Sequence, residues 1–91
     1  MSEVVVYSRQ FCSFCSAAKA LLDDLGVDYV EHDATGKAEV RAEMIRRANG
    51  RRTFPQIFIG DRHVGGCDDL YDLHRSGGLV PLFAGEKVAS A

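Results

Sequence analysis

The stretch VVVYSRQFCSFCSAAKALL, residues 4–22, passes from a strand pattern to a helix pattern through two cysteines. Residues 3–8 are rich in valine and include a tyrosine, which predicts a buried strand. Over Ser13–Leu25, apolar and small residues recur at helical spacing, which predicts a helix. Cys12 and Cys15 therefore lie where the first strand gives way to the first helix.

The rest of the chain continues the alternation of strands and helices. Gly26 follows the first helix where a C-cap glycine is expected, and Gly77-Gly78 ends the last long helix. The remaining predicted elements are a strand at Val27–Asp33, a helix at Ala38–Ala48, a hairpin of two strands at Gln56–Gly60 and Arg62–Gly66, a helix from Asp68 or Asp69 to near Ser76, and a short helix at Leu79–Phe83.

The order β-α-β-α-β-β-α predicts an α/β fold with a four-stranded mixed sheet flanked by helices. The alternating first half implies a parallel pair of strands joined by a right-handed crossover, and the hairpin adds antiparallel strands. The sequence shows no internal repeat or linker. We therefore expect a single domain over residues 1–91, with a frayed tail after about residue 84.

Composition and charge exclude several classes of function. The chain has 91 residues, of which 46% are hydrophobic and 26% charged, as in a globular protein rather than a disordered one. A formal net charge of −2 gives no general field that would gather nucleic acid. No apolar run approaches the roughly 18 residues of a membrane span, and the start of the chain has no signal-peptide pattern. We therefore expect a cytoplasmic protein without nucleic-acid or membrane partners.

The cysteine pair has three interpretations: a redox pair, half of a zinc site, or two small core residues. A zinc site needs four ligands, and neither Cys67 nor the three histidines show ligand spacing. Three cysteines are too few for a disulfide scaffold, and a CxxC in a reducing compartment is typically catalytic or metal-binding.

The redox interpretation gains support from the helix that follows. Free N–H groups and the helix dipole at its amino end favour a negative sulfur on Cys12, and Arg9 adds a nearby positive charge. Such sites lower the pKa of the thiol by about one to several units from roughly 8.5. Cys15, one helical turn further on, lies within reach to close a disulfide.

Two other stretches carry signals of a binding site. A cis Phe54–Pro55 bond would place the Phe54 backbone where a peptide-like ligand pairs with it, although a trans proline at a strand entry is statistically commoner. In the stretch GGCDD, the glycines permit close backbone approach. At a helix start, Asp68 can act both as a cap and as an acceptor for the ammonium group of a ligand; the alternative is a plain turn with a capping aspartate.

Taken together, SRQFCSFC, TFPQIFI and HVGGCDDLYDL resemble the glutaredoxin family, most closely the small bacterial dithiol glutaredoxins. The resemblance extends over about residues 4–82. It implies a thioredoxin-like fold and an enzyme that reduces protein disulfides and glutathione mixed disulfides, with glutathione as co-substrate. It also implies that Cys12 is the nucleophile and Cys15 the resolving cysteine.

The resemblance implies a groove for glutathione beside the cysteines. Arg9 would face a carboxylate of the tripeptide, the Phe54 backbone would pair with its cysteinyl part, and Asp68 would accept from its ammonium group. Cys67 is expected to be buried behind this groove. The residues that the resemblance assigns to glutathione are Arg9, Phe14, Thr53, Phe54, Pro55, Gly66, Cys67 and Asp68.

A run of arginines precedes the second of these motifs. Arg46, Arg47, Arg51 and Arg52 favour either attraction of an anionic tripeptide or a solvated helix end stabilised by the dipole.

The sequence departs from the family at Cys-Ser-Phe-Cys, where the usual motif is Cys-Pro-Tyr-Cys. Ser13 restores an N–H and a hydroxyl beside Cys12 and removes the stiffness of proline. Relatives with serine here include proteins that bridge a [2Fe–2S] cluster between two subunits through the first cysteine and glutathione. We expect a monomer without a metal, with two alternatives: a cluster-bridged dimer that uses Cys12, or a glutathione-independent, thioredoxin-like reductase.

Overall fold

The computed structural model describes residues 2–84, in which eight elements follow one another in the predicted order. They are β1 Val4–Ser8, α1 Ser13–Asp24, β2 Val30–Asp33, α2 Ala38–Arg47, β3 Gln56–Ile59, β4 Arg62–Gly65, α3 Cys67–Arg75 and α4 Leu79–Phe83. The order of the strands in the sheet is β2-β1-β3-β4, with β1 parallel to β2 and antiparallel to β3, and β4 antiparallel to β3. The predicted mixed sheet is therefore confirmed.

The strand β1 lies in the middle of the molecule and is buried on both faces. Val4 and Val6 belong to a core cluster that includes residues of α1, α3 and α4. Val5 and Tyr7 point to the opposite face and pack with residues of α2 and with Phe58. This two-sided burial explains why the strand reads as an uninterrupted apolar run rather than an alternating one.

The second strand is shorter than predicted and lies at the edge of the sheet. It begins at Val30 rather than Val27, because its pairing with β1 starts at Val5↔Val30 and ends at Ser8↔Asp33. All four of its residues are exposed. The alternation over residues 27–33 therefore marked a strand correctly but not its start.

The helix α3 begins at Cys67, one or two residues before the predicted start at Asp68 or Asp69, with Gly66 as its N-cap. Asp69, the third helical residue, accepts a hydrogen bond at 2.9 Å from the backbone N–H of Gly66. A carboxylate at this position reaches back to the cap residue. The capping role suggested for Asp68 therefore belongs to Asp69.

The end of the chain is described only in part. α4 forms where it was predicted, and the frayed tail expected after residue 84 lies outside the described residues. Among residues 2–84, no helix is both long enough and apolar enough to cross a membrane.

Candidate active site

The sheet topology brings three segments to one edge. Because β3 is antiparallel to both β1 and β4, the ends of β1 and β4 lie beside the start of β3. Gln56 at the start of β3 pairs with Tyr7, one residue before the end of β1. The loops that carry the cysteines, the Phe54–Pro55 bond and the Gly66–Asp68 segment therefore meet.

Cys12 is the N-cap of α1, one position before the first helical residue. The backbone N–H of Cys15 donates to the Cys12 sulfur at 3.2 Å, an interaction that favours negative charge on that sulfur. A disulfide joins the two residues, whose Cα atoms are 5.2 Å apart. Cys12 is half-buried and Cys15 is only 2% exposed, so Cys12 presents the accessible sulfur.

Two aromatic side chains stand exposed beside this disulfide. Phe11 is fully exposed and has a left-handed backbone with φ of 56°. Phe14, in the first turn of α1, is 61% exposed. The aromatic residue expected beside a ligand is therefore accessible, and Phe11 is a second one that sequence reasoning passed over.

The Phe54–Pro55 peptide bond is cis, the statistically rarer of the two possibilities that the sequence left open. The carbonyl oxygen of Phe54 lies 3.8 Å from the Cys12 sulfur, and the Arg9 guanidinium lies 5.7 Å from the centre of the Phe54 ring. This segment therefore contacts the cysteine loop directly.

A cleft of about 280 Å³ opens beside Phe14 and Pro55. It contains every residue that the resemblance assigned to glutathione except Arg9, together with two that were not assigned, Arg51 and Asp69. Its lining residues are Phe14, Arg51, Thr53, Phe54, Pro55, Gly66, Cys67, Asp68 and Asp69.

Asp68 and Asp69 have different surroundings within this cleft. The Asp69 carboxylate binds the Gly66 N–H and the Arg51 guanidinium, each at 2.9 Å. These two partners, in that order, hold its pKa below the usual value of an aspartate. The Asp68 side chain is exposed and has no side-chain hydrogen bond to residues 2–84. Spacing from the Gly66 cap was the signal that could have identified Asp69.

Cys67 is buried, as expected, and belongs to the core cluster behind the cleft. Burial raises the pKa of its thiol, and the negative charge of Asp68 raises it further. Cys67 therefore lines the cleft with a thiol that is less acidic than an ordinary cysteine.

A larger cleft of about 680 Å³ lies on the other side of Thr53 and Phe54, which line both. Arg9, Arg41 and Arg52 line it, and none of its lining residues within residues 2–84 is acidic. Arg41 was missed because only the packing of α2 brings it near the cysteine loop. This cleft is the electropositive part of the site.

The arginine run divides among different surroundings. Arg52 lines the larger cleft and Arg51 pairs with Asp69. Arg47 instead lies 4.4 Å from the centre of the Phe58 ring and donates to the Tyr7 hydroxyl at 3.0 Å. Only part of the run therefore faces the site.

The disulfide itself opens onto a third cleft, of about 490 Å³, on the side of β2. Lys19 and Glu31 line it and form an ion pair at 2.9 Å. The Ser8 hydroxyl donates to the same Glu31 carboxylate, and this bond is the largest cause of its lowered pKa. Among the described residues no group of three or more histidine, cysteine, aspartate or glutamate side chains is placed to hold a metal ion.

Comparison with known proteins identifies relatives over almost the whole chain. The family model described as Glutaredoxin matches residues 4–64. Glutaredoxin 3 of Escherichia coli is 51% identical over 82 residues, which cover 90% of this chain and 98% of that protein. A glutaredoxin of Pseudomonas aeruginosa is 50% identical over 84 residues, which cover 92% of this chain and 99% of that protein.

Solved structures of glutaredoxins resemble the chain closely. The solution structure of glutaredoxin from Brucella melitensis has a TM-score of 0.82 at 50% identity, and covers 97% of this chain and 96% of that one. The crystal structure of a buckwheat glutaredoxin–glutathione complex also has a TM-score of 0.82, at 35% identity, and covers 92% of this chain and 78% of that one. The fold is therefore thioredoxin-like, as predicted.

Proposed function

The chain belongs to the glutaredoxin family, and we propose that it is a glutathione-dependent thiol-disulfide oxidoreductase in which Cys12 is the nucleophile and Cys15 the resolving cysteine. The observation that carries this proposal is the cysteine pair itself. One accessible sulfur accepts a hydrogen bond at the amino end of α1, and its buried partner lies one turn behind it. A thiolate held in this way is the form that attacks disulfides.

In the dithiol route the Cys12 thiolate attacks one sulfur of a protein disulfide. That disulfide breaks, its second sulfur leaves as a thiolate that takes up a proton, and Cys12 is left in a mixed disulfide. The Cys15 thiolate then attacks the Cys12 sulfur and releases the substrate as a second thiol. Two electrons have passed to the substrate, and the chain carries the Cys12–Cys15 disulfide.

In the monothiol route the substrate is a glutathionylated protein. Cys12 attacks the glutathione sulfur, the protein leaves as a thiol, and Cys12 carries the glutathione. A second glutathione thiolate attacks that sulfur and leaves with it as glutathione disulfide. Cys15 takes no part in this route.

We assign the two clefts around Thr53 to the tripeptide. Its ammonium group would pair with the exposed carboxylate of Asp68, and its cysteinyl part with the backbone of Phe54. One of its carboxylates would meet the positive charges of the larger cleft, which Arg9 and Arg41 both line. The support for this assignment is that the smaller cleft contains most of the residues predicted from the resemblance.

The same proposal extends to where and with what the chain acts. Its substrates are disulfide-containing or glutathionylated proteins, and it acts as a monomer, through residues 1–91 as one domain, in the cytoplasm. The support is chemical, because a reducing compartment supplies the reduced glutathione that both routes consume.

The test is turnover of a glutathione mixed disulfide with glutathione and glutathione reductase. Cys12→Ser is expected to abolish this activity and the reduction of protein disulfides. Cys15→Ser is expected to keep the first and lose most of the second. Turnover by Cys12→Ser would show that the nucleophile is misassigned. Reduction of the oxidised chain by thioredoxin reductase rather than by glutathione would favour the thioredoxin-like alternative.

The cluster-bridged dimer stays a prediction, favoured by Ser13 in the place of proline. Each of the two chains would supply Cys12 as a ligand to the cluster, and two glutathione molecules would supply the others. Anaerobic purification with glutathione tests it, since a cluster would give visible absorbance that Cys12→Ser removes.

A further inference from the structure

Gln56 is a polar side chain buried at the start of β3, with no exposed surface. Its Nε2 donates to both the carbonyl oxygen and the Oγ1 of Thr53, each at 3.0 Å. Its Oε1 lies 2.6 Å from Nε2 of His63 on β4. Burying an amide is costly unless its hydrogen bonds are made, and here Gln56 bonds on both sides to groups near the site.

The direction of these hydrogen bonds is fixed by chemistry. A carbonyl oxygen only accepts, so the NH₂ of Gln56 must face Thr53 and its oxygen must face His63. Since the Gln56 oxygen can only accept, Nε2 of His63 carries the hydrogen, and donation runs from His63 to Gln56 to Thr53. Burial, and then the positive charge of Arg51, lower the pKa of His63, which disfavours the charged ring.

This direction leaves the hydroxyl proton of Thr53 for another acceptor. Gln56 already donates to Oγ1, and that hydroxyl has no acceptor in residues 2–84. Thr53 is exposed and lines both clefts beside the cysteines. Its carbonyl, held by the same amide, precedes the Phe54 backbone.

We propose that Gln56 and His63 are positioning residues that orient the Thr53 hydroxyl to donate a hydrogen bond to a carboxylate oxygen of bound glutathione. The inference rests on the proposed function and names two residues outside the clefts that contribute to affinity for the tripeptide. Gln56 and His63 differ from residues that only stabilise the sheet, because their effect on the affinity for glutathione passes through the Thr53 hydroxyl.

His63 offers a matched pair of substitutions. Its ring stacks on Phe58 with centroids 4.8 Å apart, so His63→Phe keeps an aromatic ring there and removes the donor. His63→Gln removes the ring and keeps an N–H donor for Gln56. At Thr53, Thr53→Val removes the hydroxyl at nearly constant shape, and Thr53→Ser keeps it.

The experiment measures KM for glutathione and kcat with a glutathionylated peptide, for the wild type and these variants. Thr53→Val is expected to raise KM about five- to tenfold, the loss of one hydrogen bond to a charged group, with kcat changed less than about twofold. His63→Phe is expected to raise KM about threefold, because in this variant the Thr53 hydroxyl is present but no longer oriented. Thr53→Ser and His63→Gln are expected to stay near the wild-type KM.

The double variant Thr53→Val with His63→Phe decides the inference. If His63 acts through the hydroxyl, the double variant has the KM of Thr53→Val alone. The inference would be overturned if the KM increases of the two single variants multiplied in the double variant. An unchanged KM in His63→Phe, or an unchanged KM in Thr53→Val, would overturn it as well. Thermal unfolding confirms that each variant folds, and Gln56→Met, with the same expected non-additivity, replaces His63→Phe should that variant not fold. Absence of turnover by the wild type would instead refute the proposed function.

Discussion

At the scale of single residues, Phe11 combines two unfavourable features. Its backbone is left-handed, and its side chain is fully exposed. The left-handed region costs a residue with a Cβ about 1–2 kcal/mol, and a fully exposed ring recovers none of it by burial. The turn from β1 to Cys12 therefore carries backbone strain next to the cysteine pair.

Phe11→Gly is expected to raise the free energy of unfolding by about 0.5–1 kcal/mol. Relief of strain is only partly offset by the greater freedom of glycine in the unfolded chain. Chemical denaturation measures the change. Phe11→Ala is the control, because it removes the ring and keeps the Cβ. An equal gain from both variants would rule out backbone strain as the cause.

Cys67 and Cys12 are expected to differ in how fast their thiols are alkylated, because Cys67 is buried and Cys12 is not. Burial raises the pKa of the Cys67 thiol, so at pH 7 this thiol is both protonated and shielded from reagents. We expect iodoacetamide to label reduced Cys12 first and Cys67 only after unfolding, as followed by mass spectrometry. Equal labelling rates at pH 7 would contradict the assignment.

At the scale of elements, the start of α3 divides its work between two adjacent aspartates. Asp69 caps the helix through the Gly66 N–H and pairs with Arg51, while Asp68 faces the cleft without an internal partner among the described residues. The helix cap and the proposed ligand contact are thus adjacent residues.

Asp69→Asn is expected to lower the free energy of unfolding by about 0.5–1 kcal/mol at pH 7, the usual value of a helix cap. The folded pKa of Asp69 is lowered, so its stabilisation is present above the ordinary aspartate pKa and is lost as pH falls through the lowered value. The difference between wild type and variant should therefore shrink in acid. Denaturation curves from pH 7 to pH 2 test this, and a constant difference would contradict it.

Asp68→Asn should have the complementary effect. Because the side chain makes no hydrogen bond to the residues that the structure describes, the free energy of unfolding should hardly change. KM for glutathione should rise about fivefold or more through loss of a charged contact to the ammonium group, with a smaller effect on kcat. An unchanged KM would remove Asp68 from the site.

Element boundaries show where sequence periodicity stops being informative. The helical spacing in α1 and the apolar run of β1 depend on local burial, so both elements were predicted. The start of β2 depends on where β1 offers partners, and the start of α3 depends on which aspartate reaches the Gly66 N–H. Neither partner can be identified from the pattern of the element itself.

At the scale of the whole molecule, the site results from strand order. The end of β1, the start of β3 and the end of β4 share one edge, so three motifs far apart in sequence line one site. The motifs were predictable because each carries its own signal. Arg41 was not, since its place beside Arg9 follows only from how α2 packs on the sheet.

The charge of the molecule is also distributed unevenly. The net charge is −2, yet the described part of the chain lines the larger cleft with arginines and no acidic residue. Arg41→Gln is expected to raise KM for glutathione about fivefold, roughly 1 kcal/mol for an exposed ion pair, and to weaken the dependence of KM on salt. Arg75→Gln, which removes an arginine paired with Asp72 outside the clefts, is the control. Equal effects of the two variants would indicate net charge rather than the cleft.

The unequal exposure of the two cysteines determines which sulfur is attacked first when the Cys12–Cys15 disulfide is reduced. A thiolate from solvent must reach the sulfur that it strikes, and Cys15 is sealed beneath Cys12. On the proposed function, glutathione would attack the Cys12 sulfur, expel the Cys15 thiolate and form the adduct that deglutathionylation also produces. Both proposed routes would then pass through the Cys12 sulfur, and a reagent that blocks this sulfur would stop both.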